Sequence, residues 1–543
     1  MTYFIGIDVG TGSARAGIFD ASGRLLAAES RPIAMQRPRE DYAEQSSRDI
    51  WESVCHCVRA ACRSAGIDGT QITGLGFDAT CSLVVVDGEG EPVTVSPSGD
   101  DDWNIIVWMD HRAIEDAQTI NAIGGEVLTY VGGVISPEME LPKLRWLKRN
   151  MPQSFERAAA FFDLPDWLVH RATGTQTRSL CSTVCKWTYL GQKGLSGEGW
   201  DSDFLARIGL ESLSRSGFAA IGSSFAAPGA RAGSLSRKAA ADLGLAEGIA
   251  VSASLIDAYA GALGTLGVEM AHGGLDTRLA LIAGTSSCHI TVSPTPPFVP
   301  GVWGPYFSVL LPEMWANEAG QSAAGALIDR IIEGHAAAAE AKALAASNGI
   351  SLYELLAERL AVLATAEDGD TAGLTFDRHV QPDFHGNRSP LADPTRKGAI
   401  VGLSLDRGLD DLALDYLATL QALAYGTRQI IEEMRRKGVR VELLVVSGGL
   451  AQNALFLREH ADATQCAIIV PEQREPVLVG SAMLGAVASG HFPDLPAAMQ
   501  AMSGRGRVLA PRGGKVASFH DRKYRVFQRL QQDFAAYAAL MAD

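Results

Sequence analysis

The stretch Ser254-Leu255-Ile256-Asp257-Ala258-Tyr259-Ala260-Gly261 lies close to the midpoint of the chain. It places one carboxylate, Asp257, after a small and apolar run at 249–254 and before a glycine-rich segment. A carboxylate at the end of a buried strand, with small neighbours that let other groups approach, is typical of a general base. A helix N-cap without chemistry is the alternative for the same residue.

Length and composition indicate a globular protein with more than one core. The 543 residues are 47% hydrophobic and 20% charged, and a chain of this length exceeds what a single core holds. There are 47 Lys and Arg residues against 62 Asp and Glu residues, which gives a net charge of −15. Because no basic run is long enough to follow a nucleic-acid backbone, we expect no nucleic-acid partner.

The sequence has no clear signal for export, membrane insertion or zinc binding. Residues Met1 to Asp8 lack a basic leader, and no stretch approaches the roughly 18 uninterrupted apolar residues of a membrane span. We therefore expect a cytoplasmic protein without a membrane partner. Residues 46–65 predict an amphipathic helix opened by Ser46-Ser47-Arg48-Asp49. Cys55, Cys57 and Cys62 lie at helical spacing among its apolar residues, which favours buried thiols over a zinc site.

The N-terminus predicts an antiparallel hairpin. Strands are expected at 3–8 and 14–19, joined by the turn Gly10-Thr11-Gly12. Arg15 stands where a dinucleotide-binding fingerprint has its third glycine, and a strand follows in place of a helix, so that fingerprint is excluded. The phosphate-binding P-loop pattern is also absent from the sequence.

This N-terminal turn offers groups that suit phosphate and a metal ion. Its backbone N–H groups and the hydroxyls of Thr11 and Ser13 can face phosphate oxygens. Asp8, at the end of the first strand, can hold Mg²⁺ through water. A plain hairpin turn without a ligand explains the same residues equally well.

The second half of the chain repeats the pattern of the first strand and turn. Residues 280–287 resemble residues 6–13, with an apolar strand followed by Gly-Thr and small polar residues. We therefore predict that the two halves are duplicated domains. Ile282 stands where the first copy has Asp8, so only the first copy could position a metal. Two such turns facing each other across a cleft would hold one polyphosphate between them.

Polar residues among apolar ones mark three further candidates. Residues 78–82 interrupt two predicted strands, and Trp108 to Arg112 combines an aromatic ring, a carboxylate and a guanidinium that can grip a polyol. A structural Asp/Arg pair explains the second set about as well. Lys186 has apolar neighbours that predict burial, and a buried ammonium is costly unless it has a partner or a function. A lysine that reaches the surface with its charged end is the alternative.

Two segments of the second half are rich in turn-forming residues. Residues 382–390 predict a surface loop or a lid. A strand at 441–446 runs into Gly448-Gly449 and then Asn453. Glycines there let a flat ring approach the backbone, and Asn453 can form hydrogen bonds with a base or a ribose. A tight strand-to-helix turn without a ligand is the alternative.

Taken in order, these segments resemble the FGGY carbohydrate kinases, in the superfamily shared by hexokinase, actin and the chaperone ATPases. The resemblance is spread over most of the chain and rests on the motifs Asp8-Val-Gly-Thr-Gly-Ser13, Trp108-Met-Asp-His-Arg112, Asp257, Gly284-Thr285-Ser286 and Gly448-Gly449-x-x-x-Asn453. Thr80 to Val84 is similar to the signature of the D-ribulokinase branch. Residues 137–143 and 317–322 also resemble ribulokinases.

The resemblance implies an α/β fold of two ribonuclease-H-like domains, each a mixed sheet flanked by helices, that close over a central cleft. The N-terminal domain, residues 1–256, would carry the sugar site and the first phosphate loop. The C-terminal domain, residues 257–543, would carry the second phosphate loop and the adenosine site. ATP and Mg²⁺ are the implied cofactors. The implied partners are a small sugar or polyol and ATP or ADP, with a homodimer as a common assembly in the family.

The resemblance also implies roles for single residues. Asp257 would be the catalytic base, and it would contact the ketose together with Thr80, Lys186 and Glu318. Asp8 would serve the metal. The nucleotide would be contacted by both turns and by the glycine-rich strand end, through Gly10, Thr11, Ser13, Arg15, Gly284, Thr285, Gly449 and Asn453. One mild departure is Ala319-Gly320, where many relatives have Gly-Gly.

The implied reaction transfers the γ-phosphoryl group of ATP to the 5-hydroxyl of a ketopentose, with D-ribulose as the first candidate. L-ribulose, D-xylulose, ribitol or glycerol would use the same scaffold, because an altered hydroxyl changes a few contacts and not the fold. A remote alternative is an actin-like ATPase or regulatory protein without a sugar acceptor. Asp257, Lys186 and Glu318 argue against it, since such an ATPase would not need these groups together.

Overall fold

The computed structural model describes residues 2–269, 273–366 and 370–542. The strands in these ranges are β1 (Tyr3–Val9), β2 (Ser13–Asp20), β3 (Leu25–Pro32), β4 (Met35–Gln36), β5 (Glu44–Gln45), β6 (Ile72–Ala79), β7 (Leu83–Val86), β8 (Ile105–Ile106), β9 (Ala160–Asp163), β10 (Arg178–Ser179), β11 (Phe225–Ala226), β12 (Arg231–Ser234), β13 (Ala250–Ser252), β14 (Leu255–Ile256), β15 (Arg278–Ala283), β16 (Ser287–Ser293), β17 (Trp303–Phe307), β18 (Trp315–Gln321), β19 (His379–Gln381), β20 (Ala399–Val401), β21 (Leu443–Ser447), β22 (Ala467–Pro471) and β23 (Gly506–Leu509).

The α-helices cover both sheets. They are α1 (Ser47–Ala65), α2 (Ile114–Ile123), α3 (Glu140–Asn150), α4 (Pro152–Arg157), α5 (Leu164–Thr173), α6 (Leu180–Trp187), α7 (Ser202–Arg207), α8 (Glu211–Arg215), α9 (Arg237–Leu243), α10 (Asp257–Leu266), α11 (Gly325–Gly334), α12 (Ala338–Asn348), α13 (Leu352–Ala366), α14 (Leu409–Arg436), α15 (Ala454–Thr464), α16 (Pro476–Ala488), α17 (Leu495–Met502) and α18 (Lys515–Ala542).

Two large mixed sheets share one topology. The first has the order β12-β13-β6-β1-β2-β3, with β14 also paired to β6, and the second has the order β17-β18-β16-β15-β21-β22-β23. In each sheet an antiparallel trio (β1-β2-β3 or β15-β16-β18) continues into two parallel strands (β6 and β13, or β21 and β22). An antiparallel strand (β12 or β23) follows. This correspondence agrees with the duplication that the repeated turn predicts.

The central strand β1 forms the predicted hairpin with β2. Asp8 lies opposite Arg15 on β2 and, in parallel register, opposite Asp78 on β6. All seven residues of β1 are buried, because alternate side chains belong to cores on opposite faces of the sheet. Ile5 and Ile7 belong to the core that contains α1. The hairpin therefore delivers the Asp8 carboxylate to the end of a fully covered strand.

Helix α1 was predicted from its apolar spacing and its polar start. The Ser46 side chain accepts a hydrogen bond from the backbone N–H of Asp49 and so caps the helix. Cys55, Cys57 and Cys62 are buried on its inner face as free thiols. The structure therefore confirms buried cysteines at these positions.

Helices α10 and α16 pack against each other between the two large sheets. Helix α16 packs on β1 and β6 of the first sheet, while α10 packs on β15 and β21 of the second, and the two helices contact each other. Glycines allow this close approach. A Cβ atom at Gly6 or Gly76 would lie 1.9 Å from a carbonyl oxygen of α16. A Cβ at Gly264 would lie 2.0 Å from the Pro476 oxygen, and one at Gly480 would lie 2.0 Å from the Ala260 oxygen.

The predicted fold class is confirmed: the protein is α/β, with mixed sheets and helices in two domains. The predicted boundary, 1–256 and 257–543, stays a prediction; it falls where β14 ends at Ile256 and α10 begins at Asp257. The expected homodimer also stays a prediction. None of the described helices combines the length and the low polarity that a membrane span requires.

Candidate functional site

Asp257 is the first residue of α10, directly after the short strand β14. That strand is aligned in parallel with β6, so that Leu255 pairs with Asp78. The N-cap position is occupied by Ile256, and the Asp257 carboxylate accepts a hydrogen bond of 2.7 Å from the backbone N–H of Ala258. The capping alternative considered for Asp257 is therefore not what the structure shows, since an N-cap carboxylate would bond to an N–H one turn into the helix.

Three carboxylates gather where β1, β6 and β14 end. Asp8 and Asp78 are paired across β1 and β6, and both are buried. Burial, followed by the neighbouring Asp8, raises the pKa of Asp78 well above its ordinary value. Burial also raises the pKa of Asp257 to about 6, and the Asp8 charge adds to this, while the Ala258 N–H and Lys186 act in the opposite direction. At neutral pH Asp257 remains mostly ionised and is a stronger base than an ordinary aspartate.

A second group of charges faces Asp257 from α6 and β18. Lys186 and Glu318 are both buried, at 4% and 5% exposure. Burial works against the Lys186 charge, but the nearby Cys81 and Glu318 outweigh it and raise the Lys186 pKa. Burial likewise opposes ionisation of Glu318, yet Lys186 and Arg388 together lower its pKa. Lys186, Glu318 and Arg388 therefore stabilise one another's charged forms.

The indole of Trp303 forms the centre of this charged group. Trp303 lies directly across from Glu318 in the β17–β18 pairing. The Lys186 Nζ atom is 4.4 Å from the centroid of the indole ring, and the Cζ atom of Arg388 is 4.3 Å from it. Both distances lie within the range of cation–π attraction. An Arg388 N–H also donates to Glu318 Oε1.

Thr80 is buried and its hydroxyl contacts that of Ser82. Its Oγ1 atom is 3.2 Å from Ser82 Oγ, which accepts a hydrogen bond from the backbone N–H of Trp108. Residues 108–112, which were predicted to grip a polyol, do not act as one group in the structure. The guanidinium of Arg112 is fully buried and bonds to Asp110, to Glu44 and to a backbone carbonyl. For that pair, the structural alternative holds.

The first turn keeps its predicted hairpin geometry. The Gly10 N–H donates to the Ser13 carbonyl at 3.0 Å, and Thr11 Oγ1 accepts a hydrogen bond of 3.0 Å from the Trp108 indole N–H. The Arg15 guanidinium is already engaged by two carboxylates: its Nε donates to Asp8 at 2.6 Å and its Nη1 to Glu475 at 3.1 Å. Fewer of its N–H groups are therefore left for a phosphate. These contacts tie the turn to the start of α16.

The second turn is held by backbone contacts instead. The Gly284 N–H donates to the Ser286 carbonyl at 2.9 Å, and the Thr285 carbonyl accepts from the N–H of Ala324 at 2.9 Å and of Ala326 at 3.1 Å. The turn is therefore joined to the start of α11. Thr285 is exposed, so its hydroxyl is accessible to a ligand.

The predicted adenosine contacts lie at the end of β21. Gly449 is exposed and begins a short 3₁₀ turn. Asn453 caps α15: its Oδ1 accepts from the N–H of Phe456 at 3.1 Å, and its Nδ2 donates to the Tyr416 hydroxyl at 2.7 Å. The Asn453 side chain therefore has a structural role at both ends. A nucleotide contact would have to use the remaining amide hydrogen or lone pair.

Family membership follows from the sequence over the length of both domains. Residues 3–264 match the N-terminal domain of the FGGY family of carbohydrate kinases, and residues 279–489 match its C-terminal domain. The chain belongs to the FGGY family. It is therefore an ATP-dependent carbohydrate phosphotransferase, as the resemblance implied.

Individual relatives support this membership of the FGGY family. The chain is 48% identical over 550 residues to the human FGGY carbohydrate kinase domain-containing protein, covering 100% of this chain and 98% of that protein. It is 42% identical over 518 residues to the D-ribulokinase of Saccharomyces cerevisiae, covering 90% and 72%. It is 30% identical over 508 residues to the ribulokinase of Geobacillus thermodenitrificans, covering 90% and 86%.

Solved structures of other sugar kinases share the fold of this FGGY kinase. The xylulose kinase from Rhodospirillum rubrum aligns with a TM-score of 0.80 at 20% identity, covering 98% of this chain and 99% of that one. The Plasmodium falciparum glycerol kinase with ADP aligns with a TM-score of 0.75 at 14% identity, covering 100% and 98%. At these identities the likeness shows the fold alone.

The carboxylates of this FGGY kinase fit a magnesium ion that keeps its water. Carboxylate oxygens are the ligands that Mg²⁺ prefers, usually one or two of them with several waters. Among the described residues, Asp8, Asp78 and Asp257 do not come close enough together to chelate one ion directly. One Asp8 oxygen already accepts from Arg15, which leaves its second oxygen for a metal-bound water.

Sequence reasoning about this FGGY kinase missed Arg388 and Trp303. Residues 382–390 were predicted to be a surface loop or lid, yet Arg388 extends from them to Glu318. Trp303 lies on β17, which no motif identified. The signal that could have pointed to Arg388 is the pair of buried charges itself, since Lys186 and Glu318 among apolar residues indicate that further polar partners are needed.

Proposed function

We propose that this FGGY kinase phosphorylates the terminal 5-hydroxyl of a ketopentose, with D-ribulose as the substrate and D-ribulose 5-phosphate as the product. The observation that carries the proposal is the position of Asp257, a partly buried carboxylate that shares one pocket with Lys186 and Glu318. The 42% identity to a protein named D-ribulokinase supports the choice of sugar. Asp257 would be the catalytic base, and Thr80, Lys186 and Glu318 would bind the sugar.

The proposed chemical step is an in-line displacement at the γ-phosphorus. As the sugar oxygen attacks, Asp257 accepts the proton of that hydroxyl, and the bond from the γ-phosphorus to the ADP oxygen breaks. A carboxylate with a pKa of about 6 is ionised at neutral pH, yet is basic enough to take the proton. Lys186 is close enough to Asp257 to lower its pKa, and we assign it to stabilising charge near the attacking oxygen.

The nucleotide would lie between the two turns. We assign its phosphates to Gly10, Thr11, Ser13 and Arg15 on the first turn and to Gly284 and Thr285 on the second, and its adenosine to Gly449 and Asn453. Mg²⁺, when bound, would neutralise charge on the β- and γ-phosphates. Asp8 would hold that ion through water. Closure of the domains, residues 1–256 and 257–543, over the cleft would exclude the water that competes with the sugar.

The test is the rate of ADP release with Mg²⁺ and ATP in the presence of D-ribulose, L-ribulose, D-xylulose, ribitol or glycerol. We expect the highest kcat/KM with D-ribulose. A higher value with another sugar would overturn the assignment of the substrate and leave the kinase chemistry intact. If none of the five raised turnover above the rate without sugar, the ketopentose kinase proposal would fail, and the acceptor would have to be another carbohydrate.

A further inference from the structure

We propose that Arg388 is a positioning residue for the sugar: it holds the Glu318 carboxylate in one orientation and thereby sets which arrangement of sugar hydroxyls the pocket accepts. The inference rests on the proposed function, since it takes Glu318 to be a sugar contact. Arg388 itself acts through Glu318. The sugar would therefore meet a Glu318 carboxylate whose orientation is fixed by Arg388.

The contact between Arg388 and Glu318 is specific. An Arg388 N–H donates to Oε1 of Glu318, while Cζ stacks 4.3 Å from the centroid of the Trp303 ring. Nη1 lies 3.7 Å from the Cys288 sulfur. A planar guanidinium that is bonded on one edge and stacked on one face has little freedom left. The carboxylate oxygen it holds is therefore fixed as well.

The chain leaves room for this guanidinium at Gly320. A Cβ atom there would lie 3.0 Å from Arg388 Nη1 and 2.5 Å from the backbone oxygen of Ser287. Two residues earlier on the same strand stands Glu318, whose side chain receives the guanidinium. Gly320 and Glu318 on β18 thus together form the binding site of the Arg388 guanidinium.

The loop that carries Arg388 is held in place by its own hydrogen bonds. Asp383 accepts hydrogen bonds from Gln381 at 2.6 Å and from Asn387 at 2.9 Å, and the Ser389 hydroxyl donates to the Gly301 carbonyl at 3.0 Å. Because these contacts already order the loop, placing Arg388 adds little entropy cost to sugar binding. These contacts favour a fixed loop over a mobile lid at 382–390, and the lid stays a prediction.

The charges around Trp303 explain why the positioning matters. Lys186 and Arg388 are two cations on one indole ring, and both lower the pKa of Glu318. Without Arg388, Lys186 would be the cation left to pair with Glu318, and that pairing would draw Lys186 away from the sugar. The expected defect is therefore in sugar binding and sugar selection. The nucleotide turns are not part of this group.

The experiment is a double-mutant cycle with Arg388→Met and Glu318→Gln, measured as kcat and KM for the preferred sugar and for ATP. We expect Arg388→Met to raise the sugar KM about 10- to 100-fold with little change in the KM for ATP. In the Glu318→Gln background the same change should add little, because the carboxylate it positions is gone. Arg388→Lys should restore part of the sugar affinity, since it keeps the charge but loses the planar geometry.

Arg359→Met is the control for loss of an Arg–carboxylate pair away from the site, because Arg359 forms a more exposed ion pair with Asp410 at the start of α14. It should leave both KM values unchanged. Fully additive effects in the cycle, or a rise in the KM for ATP as large as that for sugar, would overturn the positioning role. Arg388→Met must also lower the ratio of kcat/KM for the preferred sugar over the next best sugar in the panel. An unchanged ratio would contradict the claim on selectivity.

The two proposals fail in different ways. If wild-type protein prefers a sugar other than D-ribulose, the substrate assignment is wrong, and the cycle is run on the sugar that it does prefer. If D-ribulose is preferred but the cycle is additive, Arg388 alone loses its role. If no sugar is phosphorylated at all, both proposals are overturned.

Discussion

The two halves of the molecule have the same sheet topology and different chemistry at corresponding positions. In the first half Asp8 and Asp78 are paired at the ends of two parallel strands. In the second half the corresponding pair is Ile282 and Ser447. The carboxylates are confined to one copy, which confirms the sequence difference between the two turns. Of the two similar turns, only the first has a carboxylate that could serve a metal, and their joint binding of one polyphosphate stays a proposal.

The crossing helices α10 and α16 extend this comparison. The shift along the chain that takes Gly264 to Gly480 also takes Thr265 to Ser481, and these two hydroxyls have matching partners. Ser481 donates to Asp78 of the first sheet, and Thr265 donates to Ser447 of the second at 3.2 Å. The same shift takes Asp257 to Gln473. Gln473 is uncharged and lies just before α16 begins at Pro476, so this offset gives the proposed base no acidic counterpart.

The largest effect should come from removing the acid that distinguishes these two positions. Asp257→Asn should fold normally and lose about 10² to 10⁴ in kcat, because the amide cannot accept the hydroxyl proton. Steady-state turnover with the preferred sugar measures this loss. Gln473→Ala is the matched variant at the corresponding site, and it should keep most of the turnover. Equal losses in the two variants would mean that general-base chemistry does not distinguish the two helices.

Local patterns in the sequence predicted most of the fold. The apolar spacing of 46–65 and the polar start at Ser46 were enough for α1, and short apolar runs around a glycine-rich turn were enough for the first hairpin. In such segments the hydrophobic period and the turn residues are read within a few neighbours. The correspondence of the two sheets followed from one repeated turn, because duplicated sequences fold alike.

Local sequence patterns could not predict contacts between segments that are distant along the chain. Arg112 looked like a ligand for a polyol, but its partner Glu44 comes from another strand and buries it. Arg388 looked like part of a loop, but it meets Glu318 from seventy positions away along the chain. A single sequence shows that a charge must find a partner and not which partner it finds. The roles of the predicted site residues therefore stay predictions until they are tested.

An intermediate effect should come from the two glycines that let the helices cross. Gly264→Ala and Gly480→Ala should each destabilise the protein by roughly 1–3 kcal/mol, because each new methyl group would meet a carbonyl oxygen of the partner helix at 2.0 Å. Similar costs are expected, since the two contacts are related by the pseudosymmetry. Thermal unfolding followed by calorimetry measures both changes.

Gly261 on the same helix provides the control for these two variants. A Cβ there would meet only side-chain atoms of Ile282 and Val477 at 3.5 Å, which is ordinary contact. Gly261→Ala should therefore be neutral or stabilising by up to about 1 kcal/mol through helix propensity. If all three alanine variants lowered the melting temperature equally, the close crossing would not be what these glycines provide.

The smallest effect should appear in how stability depends on pH. The folded-state pKa of Asp257 is about 6, above its ordinary 3.8, so the fold binds this proton more tightly than the unfolded chain does. Its ionisation therefore costs stability, and the cost develops between these two pH values and is complete above them. Without Mg²⁺ and nucleotide, Asp257→Asn should have a higher Tm than wild type at about pH 8, and the difference should shrink towards zero near pH 4.

Asp68 provides the comparison of opposite sign for this measurement. Hydrogen bonds from the Thr70 hydroxyl and N–H lower the pKa of Asp68, so its ionisation favours the fold, and that contribution is lost as the pH falls through the lowered pKa. Asp68→Asn should therefore leave the Tm unchanged or lower it slightly at about pH 8, and this difference should also shrink in acid. A Tm difference for Asp257→Asn that stayed constant with pH would mean that the carboxylate is not destabilised by its site. The contrast between Asp257 and Gln473 would then concern catalysis alone and carry no cost in stability.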